Sequence, residues 1–272
     1  MNHLLSKIGS YPFEKLNLLL KDIKPSKDVI NLSIGEPKLN ADSKVLEILN
    51  KETNSFSNYP PMNAVPELSE AYRQYLKSHF GIKNVAEDEV CLVAGTREGT
   101  FSIIQALFNK ENVIDKPFVV MPNPFYQIYG GATTLAGGEA KFLDCPEEDN
   151  FQPDLDSLKG EDWQKCQILV LCSPNNPTGS VLPLSKLKDI LDLADKYDFY
   201  VVSDECYVDL YTSEESCPSI LQASSGRSDR LIALHSLSKR SNLPGFRSGF
   251  ACSGKKTISA YKKFRSFHGV SV

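Results

Sequence analysis

At 272 residues, with 41% hydrophobic and 24% charged side chains, the chain has the composition of a globular protein with enough length for a substantial core. A formal charge of −4 gives no electrostatic reason to expect nucleic acid or an anionic membrane, and no apolar run approaches the roughly 18 residues of a membrane span. The first residues, Met1 to Leu16, lack the continuous apolar core and small-residue cleavage site of a signal peptide. Cys91, Cys145, Cys166, Cys172, Cys206, Cys217 and Cys252 form no CxxC pair and mostly lie in or beside apolar runs. That pattern predicts reduced thiols in a cytoplasmic protein, with no disulfide framework and no metal site.

Residues 1 to about 40 carry two apolar patches around a polar, proline-containing middle, and Ile30 to Ile34 read as a short strand entering a loop at Gly35-Glu36-Pro37. Ser57-Asn58-Tyr59-Pro60-Pro61 is a turn-rich break. Pro66 opens an amphipathic helix from Glu67 to about His79, with Leu68, Tyr72, Tyr75 and Leu76 on one face. The pattern then becomes regular. Apolar runs at 90–94, 118–122, 140–143, 168–172, 200–203, 231–235 and 249–252 read as strands, separated in several places by helices near 97–109, 126–136, 154–163 and 185–197. Short continuous apolar strands alternating with helices predict a three-layer α/β/α fold with a mostly parallel seven-stranded sheet buried on both faces. Residues 212–228 read as an exposed loop holding at most one short helix. A final helix, 255–267, alternates basic and aromatic residues. Without net positive charge it reads as packed on the sheet or at a subunit interface, not as a nucleic-acid contact.

In an open α/β sheet, ligands sit beyond the carboxyl ends of the strands. The residues able to do chemistry fall at those places. Gly95-Thr96-Arg97 follows the first strand and opens a helix, an arrangement whose free N–H groups suit an anion. Phe125 and Tyr126 follow the second, and either can stack on a flat ring or simply fill the core. Ser173-Pro174-Asn175-Asn176-Pro177-Thr178-Gly179 follows the strand at 168–172. Asp204-Glu205-Cys206-Tyr207 follows the strand at 200–203. Asp204 can hold a ring nitrogen protonated or cap a helix, whereas Glu205 reads as structural or exposed. After the sixth strand comes Ser236-Leu237-Ser238-Lys239-Arg240-Ser241-Asn242-Leu243-Pro244-Gly245-Phe246-Arg247. A lysine in such a loop can condense with an aldehyde, and two hydroxyls with a fork-shaped guanidinium can hold a phosphate dianion. Pyridoxal 5'-phosphate (PLP) carries both groups at opposite ends of one ring.

The lysine loop resembles that of the fold-type I PLP enzymes, the aspartate aminotransferase superfamily. Within it, HSLSKRSNLPGFRSGF (235–250), MPNPFYQIY (121–129) and SDECY (203–207) look most like the succinyldiaminopimelate aminotransferases of bacterial lysine biosynthesis. The resemblance runs from Tyr11 to the last residues. It implies that Lys239 forms the imine with the cofactor and moves protons as general base and acid, while Asp204 pairs with the pyridine nitrogen. Tyr207 and Asn176 would contact the 3'-oxygen, and Tyr126 would stack on the ring. Ser236, Ser238, Arg247 and the backbone amides of Thr96 and Arg97 would surround the phosphate. Gly35 and Asn176 would lie beside the substrate. Tyr59 would reach across a homodimer to the partner's phosphate, and Arg240 receives no role.

The same resemblance implies exchange of an amino group between N-succinyl-LL-2,6-diaminopimelate and 2-oxoglutarate. Rival readings are another aminotransferase specificity (aspartate, alanine or LL-diaminopimelate), a carbon–sulfur lyase on the same fold, and a non-catalytic PLP-binding regulatory module. The implied organisation is an N-terminal arm with part of a small domain over 1–45 and a large cofactor-binding domain over 46–272. The family's C-terminal small domain, with its carboxylate-binding arginine, is expected to be missing from this sequence, leaving it weakly active or inactive.

Overall fold

The computed structural model describes residues 1–59, 65–111, 116–211, 217–224 and 229–268. Pro60 and Pro61, most of the expected 212–228 loop and Gly269 to Val272 lie outside them. In chain order the elements are α1 (Pro12–Leu20), α2 (Ser43–Lys51), α3 (Pro66–Phe80), β1 (Val90–Val93), α4 (Thr96–Leu107), β2 (Phe118–Asn123), α5 (Ile128–Leu135) and β3 (Glu139–Asp144). They continue with α6 (Gly160–Trp163), β4 (Cys166–Cys172), α7 (Leu184–Tyr197), β5 (Tyr200–Asp204), α8 (Ile220–Ala223), β6 (Leu231–Ser236), α9 (Leu237–Arg240), β7 (Gly249–Cys252) and α10 (Lys255–Arg265).

The strands form one seven-stranded sheet in the order β1-β7-β6-β5-β4-β2-β3. From β3 across to β6 every pairing is parallel, whereas β7 runs antiparallel to both of its neighbours, β6 and β1. Side chains alternate across a strand, so each apolar run feeds two cores. Leu92, Val120, Leu169, Leu171, Val201 and Leu231 face α3, α7 and α8. Val93, Val119, Ile168, Val170, Val202 and Ile232 face α4, α5 and α10. Burial on both faces explains why these strands read as continuous apolar runs. The helices are stopped locally: α3 begins at Pro66 and ends on Gly81 in a left-handed conformation (φ 68°). Helix α10 buries Ile258, Tyr261 and Arg265, with Arg265 paired to Glu98 of α4, so one face of the helix packs on the sheet while Lys255, Lys256 and Lys263 stay exposed.

Three expectations change, and Glu205, left open between structural and exposed, proves structural. Ile30 to Ile34 form no strand, because no neighbouring strand offers a ladder; Ile30 and Leu32 are exposed instead. The helix expected over 154–163 divides into a turn at Leu155–Ser157 and the single turn α6, since the Asp154 side chain caps the first and the chain must restart at Gly160. The described part of the 212–228 loop is not exposed. Cys217, Ile220 and Ala223 are buried, and Ser219 and Gln222 cap α8 reciprocally. Glu205 is not exposed either. It is 2% accessible, and its Oε1 accepts hydrogen bonds from the Ser203 hydroxyl (3.0 Å) and the Ile220 N–H (2.8 Å). Burial pushes its carboxyl up to about 7.

All seven cysteines are free thiols. Among the described residues no helix is long and apolar enough to cross a membrane, and no cluster of His, Cys, Asp and Glu could hold a metal ion.

Candidate active site

Five strand ends, those of β1, β2, β4, β5 and β6, supply the site. The parallel pairing of β4 with β5 sets Cys172 opposite Asp204, and that of β5 with β6 sets Asp204 opposite Leu234, two residues before Ser236. The turns that follow converge on a cavity of about 590 Å³. Gly35, Thr96, Arg97, Tyr126, Asn176, Asp204, Tyr207, Ser236, Ser238, Lys239 and Arg247 all line it. Of the residues expected at the site, Tyr59 alone stands elsewhere, fully exposed and outside this chain's own cavity.

Asp204 is 2% accessible and fixed from two sides. Tyr129 Oη donates to its Oδ2 (3.0 Å) and the Cys206 N–H points at its Oδ1 (3.3 Å). Burial raises the Asp204 carboxyl, while hydrogen bonds from Tyr129, Cys206 and Thr96 pull it back toward ionisation. Among the described residues no cationic side chain pairs with it. Asp204 is thus a buried acceptor able to stabilise a cationic N–H entering from the cavity.

A cluster of anion-binding groups lies with it. The α4 N-terminus begins at Thr96, so its first N–H groups have no acceptor within the helix. Ser236 Oγ accepts from the Ser238 N–H (3.1 Å) and touches Ser238 Oγ (3.0 Å), which sets both hydroxyls at the start of α9. Arg247 Nη2 donates to the Ala94 carbonyl (3.0 Å) and Nη1 to the Pro244 carbonyl (2.9 Å). The guanidinium lies so close to Gly95 that a Cβ there would meet Nη2 at 2.5 Å. Gly95 is also at φ 79°, ψ 162°, a region nearly reserved for glycine. The absent side chain is what leaves Arg247 its place.

The remaining groups lie on the same wall. Asn176 Nδ2 approaches Tyr207 Oη at 3.3 Å. Lys239 Nζ donates to the Gly35 carbonyl and lies 5.7 Å from the Tyr207 ring centroid. Burial, followed by the nearby Cys206, Cys172 and Asp204, pushes the Tyr207 phenol up, so it stays a hydrogen-bond donor. The structure also separates the two aromatics after β2. Tyr126 lines the cavity, edge-on to Tyr129 (5.7 Å), whereas Phe125 stacks on Phe142 (5.3 Å) beside a neighbouring groove. A buried carboxylate for a ring nitrogen, an anion cradle, an aromatic wall and one lysine make a donor set that fits PLP.

Two contributors escape the sequence reading. Tyr129 carried only the weak signal of standing three residues after Tyr126 beside a helix start. Tyr11 gave none; it enters the cavity wall from the N-terminal segment, accepts from Gln127 Nε2 (2.9 Å) and lies under the Arg97 guanidinium (5.6 Å).

Residues 27–271 match the family model "Aminotransferase class I and II". An LL-diaminopimelate aminotransferase of Aquifex aeolicus is 31% identical over 96% of this chain and 67% of its own length. Among solved structures, an aminotransferase from Neisseria meningitidis superposes with a TM-score of 0.93 at 39% identity, covering 100% of this chain and 70% of that one. The aminotransferase AspB from Helicobacter pylori gives 0.90 at 35% identity, covering 97% and 70%. This chain therefore spans about two thirds of the length of these relatives.

Proposed function

Because the chain belongs to the class I and II aminotransferases, whose members use PLP, we propose that it exchanges an amino group between N-succinyl-LL-2,6-diaminopimelate and 2-oxoglutarate in lysine biosynthesis, in the cytoplasm. The observation that carries the aminotransferase reading is the single cavity that brings Lys239, Asp204 and Arg247 together with Asn176 and Tyr207. The diaminopimelate skeleton is supported by the name of the Aquifex aeolicus relative, and the succinyl group by the likeness of the three motif segments. LL-diaminopimelate itself is the second reading, because that relative's name specifies it.

The bound cofactor supplies an aldehyde that condenses with amines and a ring that accepts electron density from the substrate Cα. The chain's own residues do the rest. Lys239 would hold the cofactor through its amine and, with that amine free, would take and return the proton at the substrate Cα. Asp204 keeps the ring nitrogen protonated, and its burial strengthens that pairing. Tyr207 and Asn176 would donate to the ring oxygen, and Tyr126 would supply the aromatic wall for the ring. Ser236, Ser238, Arg247 and the α4 N-terminus hold the phosphate. Gly35 and Asn176 flank the substrate. Residues 46–272 would form the large cofactor-binding domain and 1–45 an arm with part of a small domain, and the working form would be a homodimer in which Tyr59 reaches the partner's phosphate. Sedimentation that finds only monomer with undiminished PLP affinity would overturn the last point.

Borohydride reduction of the PLP-loaded chain should fix the cofactor to the Lys239 peptide, and Lys239→Ala should lose both label and turnover while still binding PLP noncovalently. A panel of amino donors with 2-oxoglutarate, read by glutamate formation, should give its highest kcat/KM with the succinylated donor. Preference for unmodified LL-diaminopimelate would select the second reading, and release of a thiol from a thioether amino acid added to the panel, with no glutamate formed, would make the chain a lyase.

A further inference from the structure

The turns that carry Lys239 and Tyr207 leave different strands, β6 and β5, and an ion pair outside the cavity joins them. Arg240, next to Lys239, donates from Nε to Asp209 Oδ2 at 2.9 Å. Asp209 lies two residues after Tyr207, in a turn closed by the Leu210 N–H on the Tyr207 carbonyl (2.8 Å). Helix α3 supports the pair from behind. Tyr75 Oη donates to the same Asp209 Oδ2 (2.9 Å), and His79 Nε2 sits 3.0 Å from Oδ1. The Arg240 guanidinium lies 4.4 Å from the Tyr75 ring centroid, a cation–π distance. The Asp209 side chain is only 14% accessible, so the carboxylate is held by two hydrogen bonds, from Arg240 and Tyr75, in a partly desolvated pocket with His79 alongside. Exposed ion pairs rarely fix geometry, but a stacked guanidinium on a shielded carboxylate does.

We propose that Arg240 and Asp209 are positioning residues that fix Lys239 relative to Tyr207. The proposal rests on the reading of Lys239 as the cofactor-carrying lysine. The Tyr207 phenol, donating to the cofactor's oxygen, lowers the proton affinity of the lysine linkage only while the two turns hold their spacing. Loosening either turn should raise that affinity. A direct charge effect behaves differently. Loss of the Arg240 cation raises it, and loss of the Asp209 anion lowers it. His79, Glu205 and His235 face this clamp around Tyr75, Tyr72 faces Arg240, and Cys217 faces Asp209.

The test uses the full chain as Arg240→Met, Asp209→Asn and the double variant, with Arg240→Lys and Tyr75→Phe as milder changes in case the first set folds poorly. In the cofactor-free protein, amide hydrogen exchange should quicken at 206–210 and 237–241 together in either single variant. With PLP bound, the pH midpoint of the visible absorbance should rise by about half a unit in both single variants and no further in the double. Arg240→Lys should fall between wild type and Arg240→Met, because an ammonium pairs but does not stack as a plane. Midpoints that move in opposite directions and cancel in the double variant, or a lowered melting temperature with unmoved midpoints, overturn the proposal. Borohydride mapping of the wild type separates the two layers. A label outside Lys239 overturns the underlying reading and the clamp with it, whereas a label on Lys239 with unmoved midpoints overturns the clamp alone.

Discussion

The N-terminal segment, residues 1–59, and the sheet unit that follows use similar apolar residues with opposite outcomes. The seven strands bury all of their branched aliphatics, whereas Leu18, Leu19, Ile30, Leu32 and Ile48 of the N-terminal segment are more than half exposed. Helix α2 is amphipathic and well capped by Asp42, yet none of its residues is buried. Local signals suffice to make a helix, but burial needs a second surface at the right distance. The sheet presents two such surfaces, and the N-terminal segment meets the sheet unit at the cavity, through Tyr11 and Gly35, and along α5, through residues 3–12.

Four substitutions test that contrast, from the largest expected effect down. Leu169→Ala, in the middle of β4 and fully buried, should cost about 2–5 kcal/mol by denaturant unfolding. Asp204→Asn keeps the shape at the end of β5 but removes the charge. It should slow transamination by roughly two orders of magnitude while PLP affinity changes far less. A near-normal rate would reduce Asp204 to a local backbone cap. Gly95→Ala forces a glycine-only conformation and drives a methyl group into Arg247. The expected loss is about 1–3 kcal/mol in the cofactor-free protein, with weakened PLP binding in titration. Leu32→Ala, at an 87% exposed position, should stay within about 0.5 kcal/mol. If Leu32→Ala proved as costly as Leu169→Ala, the N-terminal segment would have a buried face after all, and the comparison would fail.

The seven strands and their carboxyl-end loops were legible because each strand is short, apolar and bounded by turn residues. The site residues were legible because ligand chemistry concentrates where those strands end. Residues 154–163 misled because Leu155 and Leu158 supply helical periodicity, while Gly160 and the capping Asp154 break the backbone between them. Residues 30–34 misled because alternating apolar residues describe a strand only where a neighbour accepts its hydrogen bonds. Glu205 was left open between a structural and an exposed role because a charged residue beside a loop is ordinarily solvated, and its burial selects the structural one. Here its partners come from Ser203 and from α8, fifteen residues on.

The sequence by itself determined the alternation of strands and helices, the lysine, the carboxylate and the phosphate-type hydroxyls, because these follow from local pattern and side-chain chemistry. Tertiary structure alone decided the rest. It turned β7 antiparallel between β6 and β1, and it chose Tyr126 over Phe125 for the cavity wall. It aimed Tyr129 at Asp204 across 75 residues of chain and brought Arg240 onto Asp209 across 31. Contacts of that kind depend on which strands become neighbours. That choice is made by the packing of the whole sheet between its helices, and no local stretch of sequence encodes it.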